Sequence, residues 1–368
     1  LTVRPAGSRR LALAVAVSVV TLAAAPTPLP PTASAHETDQ FSLPADGDLA
    51  DISPDVTRWY YQVLQLGVAH ANAAIAAALA RHARRDELAV LESSDDLVKA
   101  VDGVCLRGNP IVAEVEDELH SRAMQSRYSG HRIFYRKGYH NIYEHAFWIW
   151  DSKILSRFFF GSTVKVFGVY LGTDKFGHFT AIGISYYWSY IKALRSGATE
   201  TQAMAAAILP GTTGVGSEAG VLGLTTTGDY ANGDLSANYA GFLFFRNLTQ
   251  PVSVHGSPRP PLVVRDGPYW RLAPHVRVDS DFFRPFISDH WNEALNPGYF
   301  VESMRPALRA AVRARTAVIL QTYAPSNIWP PTAAYFRAKR LELSTYWGVD
   351  YGHRGDDDSL VAIDNTCF

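Results

Sequence analysis

The stretch Gly172–Gly183, GTDKFGHFTAIG, sets an acid, a lysine and a histidine at the head of an apolar run. Read as a helix, it begins with Thr173 as cap and Asp174 in its first turn, continues to Arg195, and stops at Gly197. Asp174 and His178 are then four apart and share one face, on which Ala181 and Ser185 follow. Lys175 points away from that face, toward solvent or a partner elsewhere.

Working outward, the same kind of pair recurs. His140 and Glu144 are four apart in the aromatic-rich segment 139–160, which has helical length, and His145 adjoins them. Asp234 and Asn238 are four apart in the helix-like segment 234–247, with Ala237 and Gly241 beside them. Small residues let two helices approach closely, which buries the polar pairs or sets them at the floor of a cleft. Buried charge needs partners, and the other pairs can supply them.

The remaining punctuation is mostly helical. Ser53-Pro54-Asp55 reads as the start of a long alanine-rich helix, Asn109-Pro110 as the start of another over 111–124, and Thr199-Glu-Thr-Gln202 as a capping box opening a short helix that ends at Pro210. Residues 301–323 read as a further helix that Arg305-Pro306 breaks or starts. Residues 211–233 are dense in glycine and threonine and read as a long loop with exposed backbone donors. Asp266-Gly267 between apolar runs signals a β-hairpin within a proline-rich excursion over 250–285. The expected fold is therefore mainly α: one helical domain over 36–368, its polar pairs in 139–247, with a small β-hairpin excursion.

Residues 1–35 read as an export signal: Arg4, Arg9 and Arg10 precede the apolar run Leu11 to Ala25, and Ala33-Ser34-Ala35 closes it. That run is about 15 residues long, shorter than a membrane span needs. The expected location is periplasmic or extracellular, with no transmembrane span in the mature chain. Export favours joining Cys105 to Cys367, the only cysteines. With 34 basic against 35 acidic residues, no charge excess is available for a nucleic-acid backbone, so nucleic acid is not an expected partner.

Asp174-Lys175-x-x-His178-Phe179 followed by Asp234-Leu235-x-Ala237-Asn238-x-x-Gly241 resembles the pattern of a bacterial envelope protein and lipoprotein family of uncharacterised function. The resemblance spans residues 170–245. It implies that the two segments belong together and that the protein associates with the cell envelope; it implies no activity.

Three functions fit these residues. The leading one is an exported hydrolase of an envelope or extracellular glycan that uses no cofactor. Glu144, Asp174, Glu218 and Asp234 are its candidate acid, base and nucleophile, with His145, His178, Asn238, Trp148 and Tyr186 as substrate contacts. The second is a metal-dependent hydrolase of phosphoester or amide bonds, with a zinc-like divalent ion on His140, Glu144, Asp174 and His178. The third is a non-catalytic helical envelope protein in which a buried polar network fixes packing. No G-x-S-x-G elbow or G-x-x-x-x-G-K-[ST] phosphate loop is present.

Overall fold

The helix expected from Gly172–Gly183 forms, but in three pieces. The computed structural model describes residues 37–44, 49–105, 111–135, 141–146, 160–214, 216–220, 223–325, 327–344 and 358–368. The export signal, His140 and Trp148 lie outside them.

The N-terminal third is helical: α1 (Ser53–Ala80), α2 (Arg85–Leu91), α3 (Ser94–Cys105), α4 (Ile111–His120) and α5 (Arg122–Arg127). The start of α1 is where Ser53-Pro54-Asp55 places it, and α3 lies along it. By length and mean hydropathy, 1.6 over its most apolar window, α1 meets the requirement for crossing a membrane. Within the fold, Asn72 of this helix donates to and accepts from the Trp270 backbone, each at 2.8 Å.

A hairpin, β1 (Thr163–Val166) with β2 (Val169–Gly172), leads into α6 (Asp174–Gly177), a π-helical turn (His178–Ile182) and α7 (Gly183–Arg195). Thr173 does not cap this helix with its side chain, because its Oγ1 accepts the Ser162 N–H at 3.1 Å. The π turn widens where the Gly183 N–H reaches back five residues to the His178 carbonyl. Within it, Thr180 Oγ1 donates to the Phe176 carbonyl at 2.8 Å and competes with the regular backbone ladder.

α8 (Glu200–Thr212) opens on the expected capping box, with Thr199 and Gln202 bonded reciprocally, but carries Pro210 inside its last turn instead of stopping there. α9 (Asn232–Asn247) then crosses the π turn and α7. A Cβ on Gly241 would stand 1.8 Å from the Phe179 carbonyl oxygen, and one on Gly183 would stand 2.7 Å from the Gly241 Cα. Only glycine at both positions allows this backbone-on-backbone crossing, which sets Asp174 and His178 against Asp234 and Asn238.

Among the described residues every sheet has two antiparallel strands. β3 (Asp229–Tyr230) pairs across the chain with β8 (Tyr299–Phe300), and β4 (Val252–Val254) pairs with β5 (Ser257–Arg259). The hairpin read from Asp266-Gly267 is β6 (Val263–Asp266) with β7 (Tyr269–Leu272), and Gly267 takes the left-handed backbone its turn needs, at φ 61°. The segment 301–323 is two helices, α10 (Arg305–Arg313) and α11 (Thr316–Tyr323), followed by α12 (Ala333–Ser344) and α13 (Ile363–Thr366). The protein is mainly α, as its pattern of caps and periodic segments implies.

Two hydrophobic clusters form the interior. In the first, Tyr60 stacks on Phe283 at 3.9 Å, and Phe179 meets Tyr60, Phe244 and Trp291 edge-on or tilted at 5.3 to 5.6 Å. The second gathers Tyr143, Phe160, Phe300, Met304 and Leu308. Cys105 is buried in the first, while Cys367 packs against the second, so the expected disulfide is replaced by two separate thiols.

Candidate functional site

Where the two clusters meet, the chain buries its charge. Phe176 and Phe179 point into the aromatic core, which turns Asp174, Lys175 and His178 from the same short stretch toward α9. Six carboxyl groups, Glu37, Asp174, Glu218, Asp229, Asp234 and Glu293, are each 5% exposed or less around one ammonium, that of Lys175.

Lys175 is fully buried. Its Nζ lies 2.7 Å from Asp174 Oδ2 and 2.5 Å from Asp234 Oδ1, and it also donates to Glu293 Oε1. Burial works against the ammonium, yet Asp174, Asp234 and Glu293 together hold its pKa well above the usual lysine value. The expectation of a lysine pointing away from the Asp174 face is thus corrected. An α6 of one turn leaves the long side chain free to fold beneath its neighbour, and three carboxylates make that direction favourable.

His178 Nε2 is 3.2 Å from Asp234 Oδ2, and Nδ1 is 3.1 Å from the Asn238 amide. With its nitrogen turned inward, that amide donates to Nδ1 and to the backbone carbonyls of His178 and Asp234. Nδ1 is then an acceptor, and the ring proton sits on Nε2, directed at Asp234. One ligand atom each of Asp174, His178 and Asp234 lies within 4.8 Å of the others. Of the three expected helix pairs, two meet as read.

The third does not. Residues 141–146 form turns, and His145 adopts a left-handed backbone, φ 66°, that a helix cannot contain. Glu144 is half-buried, with Oε1 3.7 Å from exposed His145 Nε2, and belongs to this pair on the protein's skin instead of the sealed cluster. Among the expected metal ligands, Asp174 and His178 converge, with Asp234 and not Glu144 as their third partner. Tyr186 is fully buried in the first cluster, a core residue where a sugar contact was expected.

The glycine-threonine segment is not an open loop. Ser217, Glu218, Thr227, Gly228 and Asp229 are buried, and the segment delivers two acids to the cluster. Glu218 Oε2 accepts the Ala231 N–H, 3.4 Å away, at the N-terminal end of α9, where the helix dipole favours an acid. Tyr143 Oη donates to Asp229 Oδ2 at 3.4 Å. Glu37 and Glu293 come from distant parts of the chain that carry no motif. Their only sequence signal is an acid beside apolar residues, which many surface positions share.

Several carboxyl oxygens are sealed without a hydrogen-bond partner: Glu37 Oε2, Asp174 Oδ1, Glu218 Oε1, Asp229 Oδ1 and Glu293 Oε2. Burial pushes the pKa of each of these five groups up; at Asp174 and Glu293 the Lys175 ammonium works against the rise, and neighbouring carboxylates add to it at all five. In the folded protein Glu37, Glu218 and Asp229, which make no ion pair with Lys175, therefore hold protons that the unfolded chain releases near its ordinary values of 3.8 for Asp and 4.5 for Glu. This contribution to stability is complete below about pH 4 and is lost as pH rises through the raised values. Urea denaturation in EDTA is expected to show a midpoint that falls steadily from pH 5 to pH 8; a midpoint that rises over this range would refute the assignment.

Compared with known proteins, this chain matches no family model, no curated protein and no solved structure.

Proposed function

We propose that the protein is a divalent-metal-dependent hydrolase of phosphoester or amide bonds, its ion held by Asp174, His178 and Asp234. The observation that carries this reading is the convergence of those three ligand atoms among sealed carboxyl oxygens that have no other partner. Six acids around one ammonium leave an excess of negative charge, which protons or a bound cation must neutralise.

The 3.2 Å between His178 Nε2 and Asp234 Oδ2 suits two ligands of one ion as well as it suits a hydrogen bond. Metal–ligand bonds of about 2.0–2.1 Å at tetrahedral angles put neighbouring ligand atoms about 3.3 Å apart. With an ion on Nε2 the ring proton would sit on Nδ1, and the Asn238 amide, its oxygen turned inward, would accept it and fix the ring as outer partners of histidine ligands do. A bound ion of this kind lowers the pKa of a coordinated water and makes it a nucleophile. The ligands are sealed, so opening of the chain over them belongs to the proposed cycle.

A metal-free glycan hydrolase is the second reading, favoured by one observation: burial and the Asp234 charge keep Glu218 protonated, as a general acid requires. The envelope location implied by the sequence resemblance suits either substrate class. In the third reading, a packing network, Lys175 alone provides the neutralising charge.

Metal analysis after loading with zinc or manganese and extensive dialysis separates them. The metal reading expects about one ion per chain, lost in His178→Ala and Asp234→Ala and retained in Glu144→Ala. Asn238→Ala is expected to weaken ion binding by about 10- to 100-fold. A folded wild-type protein that takes up no ion would overturn the reading, and glycan cleavage by that same sample would establish the second. Hydrolysis of aryl phosphates and peptide amides is assayed on the loaded protein.

A further inference from the structure

On a part of the molecule that shares no residue with the acidic cluster, the proline-rich excursion folds over a second feature. A cavity of about 240 Å³ lies between β5 and the segment that follows β7, lined by Arg259, Leu262, His275, Asp281, Phe282 and Phe286, among others. We propose that this cavity binds a small organic carboxylate with an apolar body, held by the Arg259 guanidinium and packed against Phe282 and Phe286.

Arg259 sits at the end of β5, opposite Val252, and is half-buried. Its Nε is sealed from solvent and has no hydrogen-bond partner, and among the described residues the guanidinium makes no ion pair. A planar, permanently charged fork left unpaired beside a cavity calls for an anion with two acceptor oxygens. Desolvation and then the Arg259 charge both lower the pKa of nearby His255. The one carboxylate in the lining, Asp281, is turned out toward Arg284, with Oδ2 3.6 Å from Nε, on the exposed rim.

The rest of the lining sets the body of the ligand. Leu262, Phe282 and Phe286 are 7% exposed or less and present aliphatic and aromatic surface. Burial lowers the pKa of His275, which keeps the imidazole neutral near pH 7 and able to donate one hydrogen bond without adding charge. One guanidinium and one neutral ring suit a singly charged carboxylate better than a phosphate dianion. The volume lies below the roughly 300–1,000 Å³ of sites for drug-sized molecules, so the ligand is small.

The test titrates the full chain with benzoate and with hexanoate, followed by calorimetry and by protein-observed NMR, with benzyl alcohol as the uncharged counterpart. Saturable binding of at least one carboxylate is expected, with shifts at His275 and Phe286 and with benzyl alcohol at least about tenfold weaker. Arg259→Ala is expected to weaken carboxylate binding by about tenfold or more, and Arg259→Lys, which keeps the charge but loses the fork, by less. If Arg259→Ala does not fold, the carboxylate-to-alcohol ratio on the unaltered protein still decides. No saturable binding of either carboxylate, equal binding of the alcohol, or shifts confined to other regions would each overturn the proposal.

Discussion

Gly241→Ala is expected to lower the stability of the folded protein by about 3 kcal/mol or more, at the upper end of the usual cost of overpacking. The added methyl would meet the Phe179 carbonyl oxygen at 1.8 Å. That neighbour is backbone within a π turn, so it cannot rotate aside as a side chain would. Relief requires α9 to move away from α7, and the move also parts His178 from Asp234 and Asn238. Chemical denaturation measures the stability, and the imidazole NMR signal of His178 reports the parting. Gly103→Ala is the contrasting control: this glycine is exposed in the last turn of α3, with nothing within 4 Å of the new atom, and alanine there is expected to stabilise by up to about 1 kcal/mol. A Gly241→Ala protein as stable as the wild type would mean that the crossing is looser than described.

Lys175→Met has the second large expected effect. Methionine nearly matches the volume of the lysine stem but removes the sole ammonium among the six acids, leaving Asp174, Asp234 and Glu293 without their shared donor. Breaking a buried ion pair from one side costs about 3–5 kcal/mol. Lowering the pH is expected to recover part of the loss, because protonated carboxyls no longer need the cation. A divalent ion is expected to recover it at neutral pH in proportion to RT ln(1 + [ion]/Kd). Recovery by acid but not by an ion would favour the packing network over the metal reading, and no loss at all would show that the ammonium does not neutralise the cluster.

The helical character of the chain was legible because its signals are local. The capping box at Thr199, the proline start of α1, the glycine stop after Arg195 and the Asp266-Gly267 turn each act within a few residues, and each appears where it was read. The pairing of Asp174 and His178 with Asp234 and Asn238 was legible for a related reason: four-residue spacing and small flanking residues mark helix faces that can meet. In the helix expected over 139–160 the described part departs from the reading, because aromatic residues fill turns as readily as helices, while 147–159 lie outside the described residues. Residues 141–146 form turns, in which His145 takes the left-handed backbone.

Glu37, Asp229 and Glu293 could not be found this way. An acid becomes part of a buried cluster through what folds over it, and at 37, 229 and 293 the covering residues come from remote segments: Phe160 by a β-bridge, Phe300 through β8, and Gln40 through its side chain. Lys175 was misjudged because helix geometry directs a Cβ, while four further bonds let an ammonium turn toward the strongest nearby field. The glycine-threonine segment was misjudged because composition reports backbone freedom and not whether other elements cover it.

By itself, the sequence determined that the protein is built mainly of helices and marked two polar pairs, each with small residues beside it, as helix faces that can meet. Both follow from interactions within a few residues along the chain. The tertiary structure alone decided which carboxyls share the burial, that one lysine stands among them, and that Glu144 and Tyr186 lie apart. Desolvation and charge pairing depend on distance in space, and chain separation says almost nothing about that distance.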